Sequence, residues 1–86
     1  MSLAEIKKAI KEEKAIIGTE LTLKNLKLGK LEKVFVSANC PDSMKKDIEY
    51  YSKLANVKVE ELKQNNEELG SACKKPFFIS VLSIRK

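Results

Sequence analysis

No histidine occurs anywhere in this 86-residue chain, which removes the commonest general base and the commonest neutral metal ligand. A structural zinc site would lack its usual ligands, because the two cysteines, Cys40 and Cys73, form no CxxC pair. Two reduced thiols in a cytosolic domain are the expected state. Arginine is nearly absent too, all 17 basic residues being lysine except Arg85. Against 12 acidic residues these give a net charge of +5, a mild bias compatible with a polyanionic partner. No apolar run approaches the roughly 20 residues that cross a bilayer. The first apolar residues alternate with Glu5, Lys7 and Lys8 instead of forming a signal-peptide core, so a cytoplasmic protein without membrane contact is expected. GxSxG, P-loop and GxGxxG patterns are all missing, and no cofactor is called for. Lysine, cysteine and carboxylates remain, yet nothing sets a nucleophile beside a base. Glu67 and Glu68, as neighbours on a helix, would point to different faces and serve better as capping residues than as a catalytic pair. An enzyme is the weaker hypothesis.

What is present is 43% hydrophobic and 34% charged residues, the balance of one globular domain over 1–86. Helices and strands alternate along it. Ser2 to Glu5 has capping-box spacing, and Leu3, Ile6 and Ile10 follow at helical intervals, predicting a helix from Leu3 to about Glu13. Lys14 to Ile17 reads as a short strand stopped by Gly18. Thr19 to Leu28 suits an amphipathic helix with Thr19 as N-cap and Gly29 as its stop. A second strand runs from Leu31 to Ala38. After Pro41, Asp42 or Ser43 can cap a helix whose Met44, Ile48, Tyr51 and Ala55 form one apolar stripe. Val57 and Val59 alternate with Lys58 and Glu60 as a half-exposed edge strand. Asn65 to Gly70 opens a further helix with acids at its positive end. Phe77 to Ile84 is the longest apolar run and predicts a central strand. The αβαβαβαβ order implies an α/β fold with helices on both faces of a small sheet.

Three segments should meet at one end of that sheet. Gly18-Thr19-Glu20 lies where the first strand enters a helix, and a helix start offers unpaired N–H groups and a favourable dipole to phosphate. Asn39 is delivered by the second strand to the edge where open α/β sheets meet ligands. Lys74-Lys75-Pro76-Phe77 adds cations and a ring before the last strand. A phosphate-binding helix start, an amide for base edges and a ring for stacking are the parts that grip bent or unpaired RNA. Plainer duties compete at each position. Asn39 can satisfy turn backbone groups, and of Phe77 and Phe78, at the start of a strand, at most one can face the loop surface. Tyr50 and Tyr51 read as helix packing, and Lys7, Lys8, Lys11, Lys45 and Lys46 as a solvated face.

Taken in order, Ile17-Gly18-Thr19 with Thr22 and Lys24, Leu26-x-x-Gly29-Lys30, Val34-x-Val36-x-Ala38-x-Cys40-Pro41, Asp47-Ile48-Glu49-Tyr50-Tyr51-x-x-Leu54-Ala55, Asn66-Glu67-Glu68-Leu69-Gly70 and Lys75-Pro76-Phe77 resemble the kink-turn-binding ribosomal proteins. Within that superfamily they look most like the large-subunit ribosomal protein thirty group of archaea and eukaryotes. The resemblance covers about Ile6 to Ile84. It implies a three-layer αβα sandwich around a mixed four-stranded sheet, with the last strand inserted antiparallel among the others. It also implies non-enzymatic binding of a kink-turn, an RNA internal loop with sheared G·A pairs and a sharp bend, within the large ribosomal subunit, by a protein monomeric when free. By the same resemblance Gly18 and Thr19 give close backbone approach, Lys24 faces phosphate, Asn39 contacts a purine edge, Phe77 or its neighbours pack on an extruded nucleotide, and Glu67 and Lys75 border the site. Glu20 departs from the pattern, standing where a basic or amide residue is common; a carboxylate there repels phosphate but can accept from a base amino group. Two other readings stay open: a related kink-turn protein of a guide-RNA particle, and a small enzyme or regulatory αβα domain that binds an anionic metabolite.

Overall fold

Leu3, Ile6 and Ile10 share one side of helix α1 (Ser2–Lys11), with Ile6 fully buried and the other two packed against the same core. The structure is a computed structural model that describes residues 2–86, with nothing of the Ser2 side chain, so the capping box expected at Ser2 lies outside the described residues. The chain continues through strand β1 (Ala15–Ile17), helix α2 (Thr19–Lys27), strand β2 (Leu31–Val36), helix α3 (Asp42–Leu54), strand β3 (Lys58–Glu61), helix α4 (Asn66–Ala72) and strand β4 (Val81–Arg85). The sheet order is β1-β4-β2-β3. β2 and β3 are parallel, whereas β4 lies antiparallel to both β1 and β2, pairing Ile16 with Ser83 and Phe35 with Leu82. This is the mixed four-stranded sheet of an αβα sandwich.

Side-chain alternation along β2 divides the core in two. Phe35 faces a cluster with Ile6, Leu69, Cys73, Ile79 and Leu82, which α1 and α4 close. Val34 and Val36 face the opposite cluster with Leu26, Ile48 and Val81, which α2 and α3 close. The stripe Met44, Ile48, Tyr51 and Ala55 joins that second cluster, as its helical spacing requires. Tyr50 does not; it is exposed and meets the Tyr51 ring edge-on at 5.1 Å, so the packing expected of both tyrosines falls to Tyr51 alone. Under α2, the buried Thr22 hydroxyl pairs with that of Ser83 at 3.1 Å, satisfying two polar groups in one contact.

All four helices end in the same way. The residues after their last turn, Glu13, Gly29, Asn56 and Lys74, have φ of 59°, 69°, 57° and 57°. In each case the next N–H reaches back to the carbonyl of the first residue of the closing turn, as in Lys14 to Ala9 at 2.8 Å and Lys75 to Gly70 at 2.9 Å. These are Schellman closures. Gly29, and less strongly Asn56, advertise one in the sequence; Glu13 does not, and the first helix ends two residues before that expected bound.

The first strand starts at Ala15, α2 ends at Lys27 and the last strand reaches Arg85, each one residue from its expected bound, and the larger boundary corrections fall at one end of the sheet. β2 stops at Val36 instead of Ala38, because Ser37 N–H turns to the Ser80 carbonyl at 2.8 Å and Ala38 N–H to that of Gln64 at 2.8 Å. β4 begins at Val81, not Phe77, since Ile79 N–H bonds to the Asn66 carbonyl at 3.0 Å and leaves the ladder. The strand alternation invoked for Phe77 and Phe78 therefore does not apply, and both rings are exposed, at 52% and 67%. Thr19 is the first residue of α2 and not its cap; Gly18 holds that position, and Thr19 Oγ1 donates to Met44 Sδ at 2.9 Å. Pro41 precedes α3, so neither Asp42 nor Ser43 serves as its side-chain cap.

Candidate nucleic-acid interface

The parallel course of β1, β2 and β3, with β4 running against them, brings the ends of the first three strands and the start of the fourth to one edge. Four connections meet there: Gly18 after β1, Ser37–Pro41 after β2, Leu62–Asn65 after β3, and Cys73–Ser80 before β4. Backbone hydrogen bonds lock them together, with Gly18 N–H on Val81 at 3.0 Å and Leu62 N–H on Val36 at 2.8 Å.

Gly18 has φ 110° and ψ 152°, a region essentially reserved for glycine. A Cβ built there meets nothing within 4 Å, so the backbone lies open to close approach. Behind it, the opening N–H groups of α2 have no side-chain cap, and the helix dipole points its positive end the same way. Glu20, in that first turn, is exposed. Lys24 is exposed about one turn further along, ~7.5 Å from Thr19 on the helix axis. Neither makes an ion pair among the described residues.

Asn39 sits in the tight turn that ends with Cys40 N–H on the Ser37 carbonyl at 3.2 Å. Its Oδ1 accepts from Asn66 N–H at 2.8 Å and from Ser37 Oγ at 3.1 Å, and its Nδ2 donates to Asn66 Oδ1 at 3.1 Å. The amide thus serves the start of α4 and the Ser37 hydroxyl instead of the backbone of its own turn, while staying on the exposed surface. α4 carries its own capping box as well: Asn65 Oδ1 accepts from Glu68 N–H at 2.8 Å, and Glu68 Oε1 accepts from Asn65 N–H at 3.0 Å. Glu68 therefore takes the capping duty expected of the acid pair, and Glu67 stands exposed beside it.

Lys75, Phe77 and Phe78 project from the segment that returns from α4 to β4. Its path is set by Gly70, where an added Cβ would lie 2.2 Å from the Phe77 carbonyl oxygen. Lys45, in the first turn of α3, pairs with Glu61 at the end of β3, and that bond raises the lysine's pKa above its ordinary value. Burial pushes the Cys40 thiol up, with Lys45 partly opposing it, so it is a protonated, packed side chain. Among the described residues no cluster of three or more Cys, Asp or Glu side chains is placed to hold a metal ion. No described helix is long and apolar enough to cross a membrane.

The fold thus gathers Gly18, Thr19, Glu20, Asn39, Glu67, Lys75 and Phe77 around one edge and leaves Lys24 on its flank. Sequence reasoning missed Asn66, whose partnership with Asn39 is separated by 27 positions and has no local signal, and Phe78, hidden by the assumed strand. Chemically, the edge offers open backbone N–H groups, a fixed amide pair, two exposed rings and lysines.

Residues 2–86 match the model of the ribosomal protein L7Ae/L30e/S12e/Gadd45 family. The large ribosomal subunit protein eL30 of Methanothermobacter thermautotrophicus is 40% identical over 80 residues, spanning 93% of this chain and 82% of its own. That of Saccharolobus solfataricus is also 40% identical, over 93% of this chain and 74% of its own. Among solved structures, the Giardia lamblia 15.5kD RNA binding protein superposes with a TM-score of 0.82 at 23% identity, over 98% of this chain and 70% of that one. A protein of unknown function from Bacillus halodurans gives 0.88 at 20%, over 98% and 83%. At such identities these two speak for the fold. With the family model matching essentially the whole described chain, this protein belongs to the ribosomal protein L7Ae/L30e/S12e/Gadd45 family.

Proposed function

We propose that this protein binds a kink-turn RNA without catalysing a reaction, and does so as a component of the large ribosomal subunit in the cytoplasm. The observation that carries the reading is the Asn39 amide, held by Asn66 at the same sheet edge as the open backbone of Gly18 and the segment with the exposed ring of Phe77. An amide pre-oriented on a rigid sheet edge loses little freedom on meeting a base, and its second Nδ2 hydrogen is available to a purine acceptor. Gly18 and Thr19 then admit the RNA backbone, Lys24 and Lys75 meet phosphates, and Phe77, with Phe78 beside it, packs on an unstacked base. Glu67 borders the site, and Glu20 accepts from a base amino group. The family and the eL30 relatives support RNA and the ribosome as partners.

Titration of labelled kink-turn RNA against an unkinked duplex of equal length, at about 0.15 M salt, tests the reading, since phosphate contacts alone bind both. Preference for the kink-turn is the expected result. Equal affinities would remove it and favour the domain that binds an anionic metabolite. Co-sedimentation with large ribosomal subunits is expected, and recovery with small guide RNAs instead would reassign the particle. The free protein should sediment as a monomer.

A further inference from the structure

Two grooves flank α1, and they differ in charge. One is lined by Lys8, Lys14, Lys33 and Lys58 and by Glu5, Glu12 and Glu32, and Lys33, bonded to Glu5 at 3.0 Å, also holds a fourth acid, Glu60, at 3.1 Å, so its charges balance locally. The other, of about 440 Å³, runs between α1 and the end of α4, and its charged lining is lysine alone: Lys7 and Lys11, one helical turn apart, face Lys74 across a floor that includes Ile10 and Cys73, with the Ser71 hydroxyl on the rim. None of these three lysines has an ion-pair partner among the described residues. Three ammonium groups around one concavity repel each other unless an anion joins them.

Lys74 connects this groove to the candidate interface. It is held in the left-handed conformation, φ 57°, with its N–H on the Ser71 carbonyl at 3.0 Å. Three residues later the same segment presents Phe77, a span of at most ~11 Å. We propose that the α1–α4 groove is a second phosphate-binding track, which holds the backbone of the same RNA after it leaves the sheet edge. This rests on the kink-turn reading and extends its footprint onto the α1–α4 layer. The lysines take phosphate oxygens, Ser71 donates to one, and the apolar floor accommodates a sugar. The balanced groove on the other side of α1 offers no such surplus.

The test uses the full chain and a Lys7→Gln/Lys11→Gln variant, with a minimal kink-turn RNA and with two RNAs in which one or the other stem is longer by a full helical turn. At least one extended RNA should bind the unaltered protein with a log–log salt slope steeper by about 2.1–2.7, three phosphates at roughly 0.7–0.9 each. The variant should lose about 1.4–1.8 of that increment, the share of Lys7 and Lys11, and bind the minimal RNA unchanged. Equal slopes on minimal and extended RNAs, or equal losses on all of them in the variant, overturn the second track while leaving the kink-turn reading in place. A minimal kink-turn that binds no better than an unkinked duplex overturns both. NMR amide shifts at Lys7, Lys11 and Lys74 on adding hexaglutamate, but not the extended RNA, would give the groove to an acidic protein segment and overturn the proposal too.

Discussion

Asn39 and Asn66 are joined at two points, Oδ1 of Asn39 receiving the Asn66 N–H at 2.8 Å while its Nδ2 donates to the Asn66 side chain at 3.1 Å. A loop amide is thereby tied to a helix start on the other side of the edge. In the proposed reading fold and recognition share one side chain, and substitutions can separate them. Asn39→Ala should cost about 1 kcal/mol of stability, as a lost cap does, and a further 1–3 kcal/mol of RNA affinity if the amide reads a purine. Asn39→Asp keeps the acceptor for Asn66 N–H but not the donor, so it should hold stability within about 0.5 kcal/mol and still lose affinity. Urea melts paired with RNA titration check this. Stability loss with intact affinity in both variants would reduce Asn39 to a cap.

Phe77→Ala should lower kink-turn affinity by about 1–3 kcal/mol, the range for one stacked base, and Phe78→Ala should report whether the neighbouring ring shares that role. Because both rings are more than half exposed, melting should shift by no more than about 0.5 kcal/mol. A large melting change without an affinity change would show that they pack, not stack.

Charge at the start of α2 should be readable in the salt dependence. Lys24→Ala is expected to weaken all RNAs and flatten the log–log slope by roughly 0.7–0.9, and Glu20→Lys to steepen it by a similar amount. Because Glu20 accepts from a base amino group in the proposed site, Glu20→Lys should also bind the cognate kink-turn less tightly despite its added charge, and tighter binding would remove that contact. An unchanged slope in Lys24→Ala takes that residue off the phosphate list.

Gly70→Ala ought to be destabilising although alanine is the better helix former. The new methyl would meet the Phe77 carbonyl at 2.2 Å, a backbone atom that can move only with the whole segment. Overpacking of this kind costs about 1–3 kcal/mol. Kink-turn affinity should fall as well, since Phe77 moves. A neutral or stabilising result in a denaturation curve would mean that the segment yields freely.

Glu13 is a non-glycine residue at φ 59°, a conformation that costs an L-residue about 1–2 kcal/mol. Glu13→Gly should therefore stabilise the protein, by up to about 1 kcal/mol, whereas Gly29→Ala at φ 69° should destabilise it by a comparable amount. Thermal melts of the two variants, moving in opposite directions, are the check.

Periodicity carried most of the fold. The α3 stripe, the short β1 and the half-exposed β3 are legible because burial imposes spacings of 3.6 and 2 on apolar residues. The antiparallel insertion of β4 among the other strands followed from family resemblance, but nothing local in Val81 to Arg85 states that its neighbours are β1 and β2. What stayed hidden is non-local or conformational. Ile79 leaves the ladder for Asn66, thirteen positions away, so a continuous apolar run from Phe77 imitated a longer strand. Two helices close on Glu13 and Lys74, types that do not announce a left-handed residue as glycine and, more weakly, asparagine do. At the candidate site, Asn39 stood out because it interrupts a buried strand, but its attachment to Asn66 could not be read from either neighbourhood.

The position of β4 bears on when the molecule becomes competent. Synthesis proceeds from the N-terminus, so β1, β2 and β3 emerge before the strand that separates two of them. Until Val81 to Arg85 arrive, β1 and β2 have no common partner, Gly18 lacks the Val81 carbonyl that seats its N–H, and the apolar faces of Phe35 and Val36 are missing their antiparallel neighbours. A nascent chain with 80 of its 86 residues made therefore still lacks this strand, and the edge proposed to meet RNA stays unfinished until the last strand closes the sheet.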